Sequence, residues 1–273
     1  MNLFSYNSFL LGTLVFVCII VTNLIFFLLC KMNKIKVLEF SIFFAPWFSI
    51  VKKKIGSTVF SLGWIPLGSS VKPLGWTTDI EERRKIPEEE FPFVFFTRPK
   101  YLKVLFKLAS PLAYLLILFV SLKLYSDDGR IMNGLEDIFN FINSSIKALF
   151  GSQNSKDELS ILFKKIVSEN NLVLFVFMIF LSVITLILPF TTIMNWYSND
   201  EIKKSKIEKT IGFLGSLFYL YFFLWKLPNL FFNYFTWLEF MRYFISFLLG
   251  IFSVGVIAFY LLLSLIKIAT KSS

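Results

Sequence analysis

The chain contains no histidine, and that decides most of what its side chains can do. Without imidazole there is no Ser–His–Asp relay, no histidine general base and no histidine-ligated zinc. Two cysteines, Cys18 and Cys30, sit in one apolar run. On a straight helix they lie about three turns, roughly 18 Å, apart, too far for a disulfide. They read as small core or lipid-facing residues. No apolar run holds an aspartate, so an intramembrane GxGD-type aspartyl site is absent, and Glu239 lies at an edge. Serines and lysines are plentiful, but no pair is marked as a dyad. A solute transporter needs intramembrane charges, broken helices or repeats; these runs carry almost no acids and show no repeat at matching spacing.

The elements that must position any site are membrane spans. The 273 residues are 56% hydrophobic, with 36 phenylalanines and a mean hydropathy of +0.70. Spans are expected at residues 8–30, 104–124, 171–195, 211–232 and 240–266, each long enough to cross a bilayer at 1.5 Å per residue. Lys226, Pro228, Asn229, Asn233, Glu239 and Arg242 interrupt the aromatic run between the last two. The expectation is an α-helical polytopic membrane protein of about five transmembrane helices.

The net charge of +10 does not point to nucleic acid, because the basic residues cluster at the edges of the apolar runs. Residues 31–107 carry 14 lysines and arginines against 7 acids, and residues 125–170 carry 5 against 7. Residues 196–209 hold four lysines, and Lys267 and Lys271 follow the last run. The positive-inside rule then places the N-terminus outside and the C-terminus in the cytoplasm. The first residues, Met1 to Ser8, have no basic group and no small-residue cleavage site after them, so no cleaved signal peptide is expected.

The chain thus divides into a first helix (1–30), a cytoplasmic-side segment (31–103), a second helix (104–124) and an extracytoplasmic loop (125–170). A third helix (171–195), a cytoplasmic loop (196–210) and the fourth and fifth helices (211–273) complete it. In the loop, Leu135, Ile138, Phe139, Ile142, Ile146, Leu149 and Phe150 recur at helical spacing. Ser155 with Glu158 reads as a capping box, opening a second stripe of Leu159, Leu162, Phe163 and Ile166. Two short amphipathic helices are expected, packed together or lying among headgroups.

In segment 31–103, "KVLEFSIFF" (36–44) and "TVFSLGWIPLG" (58–68) read as two strands, with the lysines of "VKKKIGS" marking a turn. An open strand edge cannot face lipid, because its N–H and C=O groups go unsatisfied. This membrane-associated β-ribbon must pair internally, line a cavity or pair with another chain. Trp47, Trp64 and Trp76 flank it and fit an interfacial belt. "KKK" (52–54) and "ERRK" (82–85) suit contact with anionic headgroups, and orientation is the simpler expectation.

"EFSIFF" (39–44) followed by "FSLGWIPLGSSVKPLG" (60–75) resembles the membrane-embedded β-loop of bacterial site-2 proteases, the intramembrane zinc metalloproteases. "FFTRPKYLKVLFKLASPLAYLLIL" (95–118) resembles that family's second core helix, and "LILPFTTIMNW" (186–196) its third. The resemblance covers roughly residues 15–195 and implies a site-2-protease-like core. It also implies that the chemical residues are gone. Aligned by spacing from Phe40, the family's HExxH motif falls on "TNLIF", so its histidines become Thr22 and Phe26 and its glutamate Asn23. The asparagine of its AGPxxN phrase becomes Tyr114, its zinc aspartate Met194, and the glycine after that Asn195. Residues 125–170 are also too short for the PDZ-type domains many bacterial members carry.

The resemblance therefore implies the fold and argues against the activity, with no metal and no cofactor. Thr22, Asn23, Thr191, Thr192 and Asn195 are expected to converge where the zinc would sit. They form either a polar pocket that recognises a segment or ordinary interhelical hydrogen bonds. The ribbon, with Phe40, Ser41, Ile42, Val59, Phe60, Ser61, Leu62 and Trp64, is the expected binding surface, since strand addition uses backbone groups and survives loss of the chemistry. The expectation is a pseudoprotease in a bacterial inner membrane, a scaffold or client-binding subunit. Its partners are other integral membrane proteins, an extended or transmembrane client segment and lipid, with no nucleic acid. The alternatives are a small-solute transporter or channel component, and a protease with a non-zinc device.

Overall fold

The computed structural model describes residues 4–76, 84–125, 130–150, 153–168, 171–197 and 236–269. Helix α1 (Tyr6–Met32) opens on Ser5, whose hydroxyl accepts from the Ser8 amide, and ends on Asn33. Helix α2 spans Lys100–Tyr125, α3 Ile131–Leu149, α4 Gln153–Ser168, α5 Leu172–Tyr197 and α6 Trp237–Ala269. Among the described residues, α1, α2 and α6 are long and apolar enough to cross a membrane, and α5 is apolar over Leu172–Thr185. The first, second, third and fifth expected spans therefore coincide with helices. The expected fourth span, 211–232, lies outside the described residues.

Exposed apolar stripes are the physical mark of a lipid solvent. On α1, Val17, Val21, Ile25 and Leu28 are exposed at helical spacing, and on α2 so are Leu112, Leu115, Leu116, Phe119, Val120 and Leu124. Such stripes stay in water only at a cost of about 25 cal/mol per Å².

Helix α1 is the axle. On one side it packs with the sheet and α6 around Phe16, Phe27, Phe40, Phe60, Ile251 and Phe259. On another side it packs with α2, α3 and α5 around Val15, Cys18, Tyr114, Leu118, Ile138 and Met178. At the α1–α6 crossing the backbones touch. A Cβ on Gly12 would lie 2.1 Å from the Phe247 carbonyl oxygen, and one on Gly250 would lie 2.1 Å from that of Phe9. Small residues at membrane helix crossings permit this approach.

Strands β1 (Val37–Phe44), β2 (Val51–Ile55), β3 (Thr58–Leu62) and β4 (Ile65–Pro73) form one sheet, in the order β2-β3-β1-β4. This corrects the two-strand expectation. Lys52, Lys53 and Lys54 are a strand, not a turn, and pair antiparallel with β3. The turn lies two residues on, at Gly56–Ser57, where Gly56 has φ +58°. That is the glycine-first pattern of a tight hairpin. The lysines mislead because an exposed edge strand and a turn both put charge in water.

The expected strand 58–68 also breaks, at Gly63–Trp64. β3 and β4 lie on opposite sides of β1, so this two-residue link must cross the end of β1, a span of roughly 10 Å. Gly63 is where it passes, since a Cβ there would sit 2.5 Å from the Phe44 carbonyl oxygen.

The two expected loop helices are present as α3 and α4. Gly134 of α3 seats closely on Leu122 and Tyr125 of α2, and the Tyr125 hydroxyl donates to Asp137 at 3.1 Å. The capping expectation needs correction: α4 begins at Gln153, so Ser155 lies inside its first turn, and Glu158 accepts from Ser144 of α3. A capping box does occur at Thr236–Glu239, at the start of α6.

Candidate functional site

Where α1 meets α2, Thr22 comes beside Tyr114. Pro111, one turn before Tyr114, is buried inside α2. It leaves a carbonyl in the preceding turn without its helical N–H partner. The buried Thr22 hydroxyl lies 2.9 Å from the Ile19 carbonyl and 3.3 Å from the Tyr114 hydroxyl. With one proton to give, Thr22 donates to one of them at a time. Residues 92 positions apart, aligned by the resemblance with two separate family motifs, thus share a hydrogen bond.

Asn23, the next residue, faces the sheet. Its amide donates to the Ile19 carbonyl and to the Ser69 carbonyl of β4, both at 3.1 Å. Phe26 is part of an aromatic cluster. It meets Trp76 edge-on at 5.2 Å and Phe106 at 5.5 Å, while Phe95 lies 4.4 Å from Trp76 and 5.6 Å from Phe106. Trp76 is therefore packed on the core rather than serving only an interfacial belt. Trp47 is 81% exposed and stacks on Trp64.

Thr191, Thr192, Met194 and Asn195 belong to α5 by backbone. Their side chains lie outside the described residues, and so does their expected convergence with Thr22 and Asn23.

The sheet distributes the remaining candidates unevenly. Phe40, Ile42, Phe60, Ser61 and Leu62 are buried. Phe40 and Phe60 stack at 6.0 Å beneath Phe27. Ser61 donates to Glu39 at 2.8 Å, and the Ser41 and Ser70 hydroxyls share a 2.7 Å hydrogen bond. Val59 pairs with Glu39 across the β1–β3 ladder. β1 and β3 each have a strand on both sides, so their backbones are already spent.

Among the described residues, β2 and β4 are the edge strands. On β4 the outward groups follow from the ladder. The Ile42 carbonyl accepts from Gly63, so Phe40 and Ile42 point their backbone groups toward β3. Their antiparallel partners, Val71 and Ser69, then turn theirs away from β1. The Ser69 carbonyl is the one Asn23 holds. This edge was not legible in the sequence, since strand order is a tertiary fact.

Chemically, this crossing offers hydroxyls, one amide and main-chain groups. They donate and accept hydrogen bonds, and none is a general base at neutral pH. No protein-family model matches the chain. A 110-residue stretch is 37% identical to a protein named "Putative zinc metalloprotease" from Thermotoga maritima. The match covers 38% of this chain and 21% of that protein, so the chain spans about a fifth of its relative's length.

Proposed function

We propose that this chain is a non-catalytic, site-2-protease-like membrane protein. It serves as a scaffold or client-binding subunit of an inner-membrane complex of the export or quality-control kind. The observation that carries the reading is a contrast within one site. Two of the positions aligned with the family's chemistry, Thr22 and Tyr114, meet each other, and a third, Phe26, packs among aromatic rings. The sheet beside them keeps β4 as an edge strand. The chain has no histidine with which to build the family's zinc ligands. Strand addition needs only main-chain donors and acceptors, so it is independent of the lost residues.

In this reading the incoming strand belongs to an extended or transmembrane segment of a membrane partner, and it pairs with β4 beside Asn23. Five crossings, an N-terminus outside and a cytoplasmic C-terminus put the sheet on the cytoplasmic side. No cofactor takes part.

The test is co-purification of the tagged full chain in mild detergent, read by mass spectrometry, for the wild type and Val71→Pro. Proline at Val71 removes one outward N–H and leaves the ladder to β1 intact, which edge strands tolerate. We expect membrane partners in fixed ratio with the wild type, and their loss from V71P at unchanged melting temperature. Equal retention by V71P refutes strand addition at β4, and a molar equivalent of zinc in the purified protein refutes the non-catalytic reading.

A further inference from the structure

Away from the sheet, α1, α5 and α6 leave between them a cavity of about 330 Å³. Leu11, Leu172 and Val176 supply an apolar wall, and Asn7, Ser8 and Arg242 supply polar groups. Arg242 stands out. Its guanidinium lies 5.5 Å from the Tyr243 ring centroid, and its Nε is buried with no hydrogen-bond partner among the described residues. The acid nearest in sequence, Glu239, caps the helix start, where one carboxylate oxygen accepts from both the Thr236 amide and the Thr236 hydroxyl, each at 2.9 Å, and Arg242 acts on it through space.

The cavity's two sides are pinned together. The Ser5 amide donates to the Ser246 hydroxyl at 2.9 Å, and Ser246 donates to the Arg242 carbonyl at 2.8 Å. The arginine therefore has a fixed height against the first turn of α1. That height is about one and a half turns into a membrane-spanning helix whose exposed Trp237 suits the interface. A long basic side chain there reaches headgroup level. A planar guanidinium with an unused N–H matches a phosphate, and the first-turn amides of α1 favour negative charge on the opposite side.

We propose that this cavity binds the phosphate of an anionic membrane lipid. Arg242 holds the phosphate, and the Leu11, Leu172 and Val176 wall takes the start of an acyl chain. The lipid then fills the seam between α1, α5 and α6. The proposal is independent of the pseudoprotease reading.

Native mass spectrometry of the full chain in mild detergent tests it, with phosphatidylglycerol or phosphatidylcholine added and inorganic phosphate as competitor. The wild type should retain phosphatidylglycerol in preference to phosphatidylcholine. Arg242→Gln should weaken that retention about tenfold or more, the scale of a hydrogen bond to a charged group, and Arg242→Lys should do so less. Val176→Trp, which fills the apolar wall and spares the arginine, should also exclude the lipid, and it carries the test if Arg242→Gln fails to fold. Equal phosphatidylglycerol retention by the wild type and the folded variants overturns the proposal. Displacement of the lipid by millimolar inorganic phosphate overturns the lipid as the source and leaves a free-anion site.

Discussion

The Gly12–Gly250 crossing gives a sharp test of how α1 is held. A methyl on either glycine meets a carbonyl oxygen at 2.1 Å. An ordinary carbon–oxygen contact is about 3.3 Å, so the helices must part by roughly 1 Å. A gap of that size forfeits about a quarter to a half of each dispersion contact across the crossing. Overpacking of this kind costs about 1–3 kcal/mol. Against it stands the helix-propensity gain of Gly→Ala, about 0.5–1 kcal/mol. The clash wins, and Gly12→Ala and Gly250→Ala should each destabilise by about 1–2 kcal/mol.

The two clashes are also coupled, because one separation relieves both. The double variant should cost less than the sum of the singles, by about 0.5 kcal/mol or more. Reversible unfolding in mixed micelles, followed by circular dichroism, measures all three, with the exposed-site variant Ser264→Ala as a control. If both single variants are stabilised by the propensity gain, the close crossing is refuted. If the double variant is additive, the shared-separation argument is refuted.

Three further expectations follow from the site. Tyr114→Phe removes the partner of Thr22. Interhelical hydrogen bonds in membranes average about 0.6 kcal/mol, so a loss of that order is expected in the same unfolding assay, and a loss of several kcal/mol would contradict the geometry. Phe26→Ala opens a hole among Trp76, Phe106 and Phe95. It should cost about 3–5 kcal/mol and change Trp76 emission, and an unchanged spectrum would refute the contact. Cys18 and Cys30 are buried as free thiols, so maleimide should label neither in the native protein and both after unfolding in SDS, as read by intact mass.

What could be read from the chain depended on the range of the interaction responsible. α1, α2, α5 and α6 were legible because an apolar run of bilayer length has few alternatives. α3 and α4 were legible because their stripes repeat at 3.6 residues. β2 was not: lysines on an edge strand and lysines in a turn satisfy the same local rule, and only pairing with β3 separates them. The break at Gly63 was hidden for a related reason. Its glycine answers to the Phe43 and Phe44 carbonyls, about 20 residues away in sequence.

The site divides in the same way. Spacing from Phe40 placed Thr22, Asn23 and Phe26 at the aligned positions, and the Pro111 phrase placed Tyr114. Spacing could not assign their partners. That Thr22 turns to Tyr114 while Asn23 turns to Ser69 depends on how α1 is rotated between α2 and β4, and the packing around α1 fixes that rotation. The Arg242 cavity was equally out of reach, because in sequence the residue is one cation among edge charges.

By itself, then, the sequence determined the membrane-spanning class, the lack of any histidine in this chain and the ribbon's position after the first helix, since composition and local periodicity carry those facts. Tertiary structure alone decided which strands lie inside the sheet, which strands form its edges and which polar groups meet. Each of those depends on main-chain and side-chain contacts between residues tens to hundreds of positions apart.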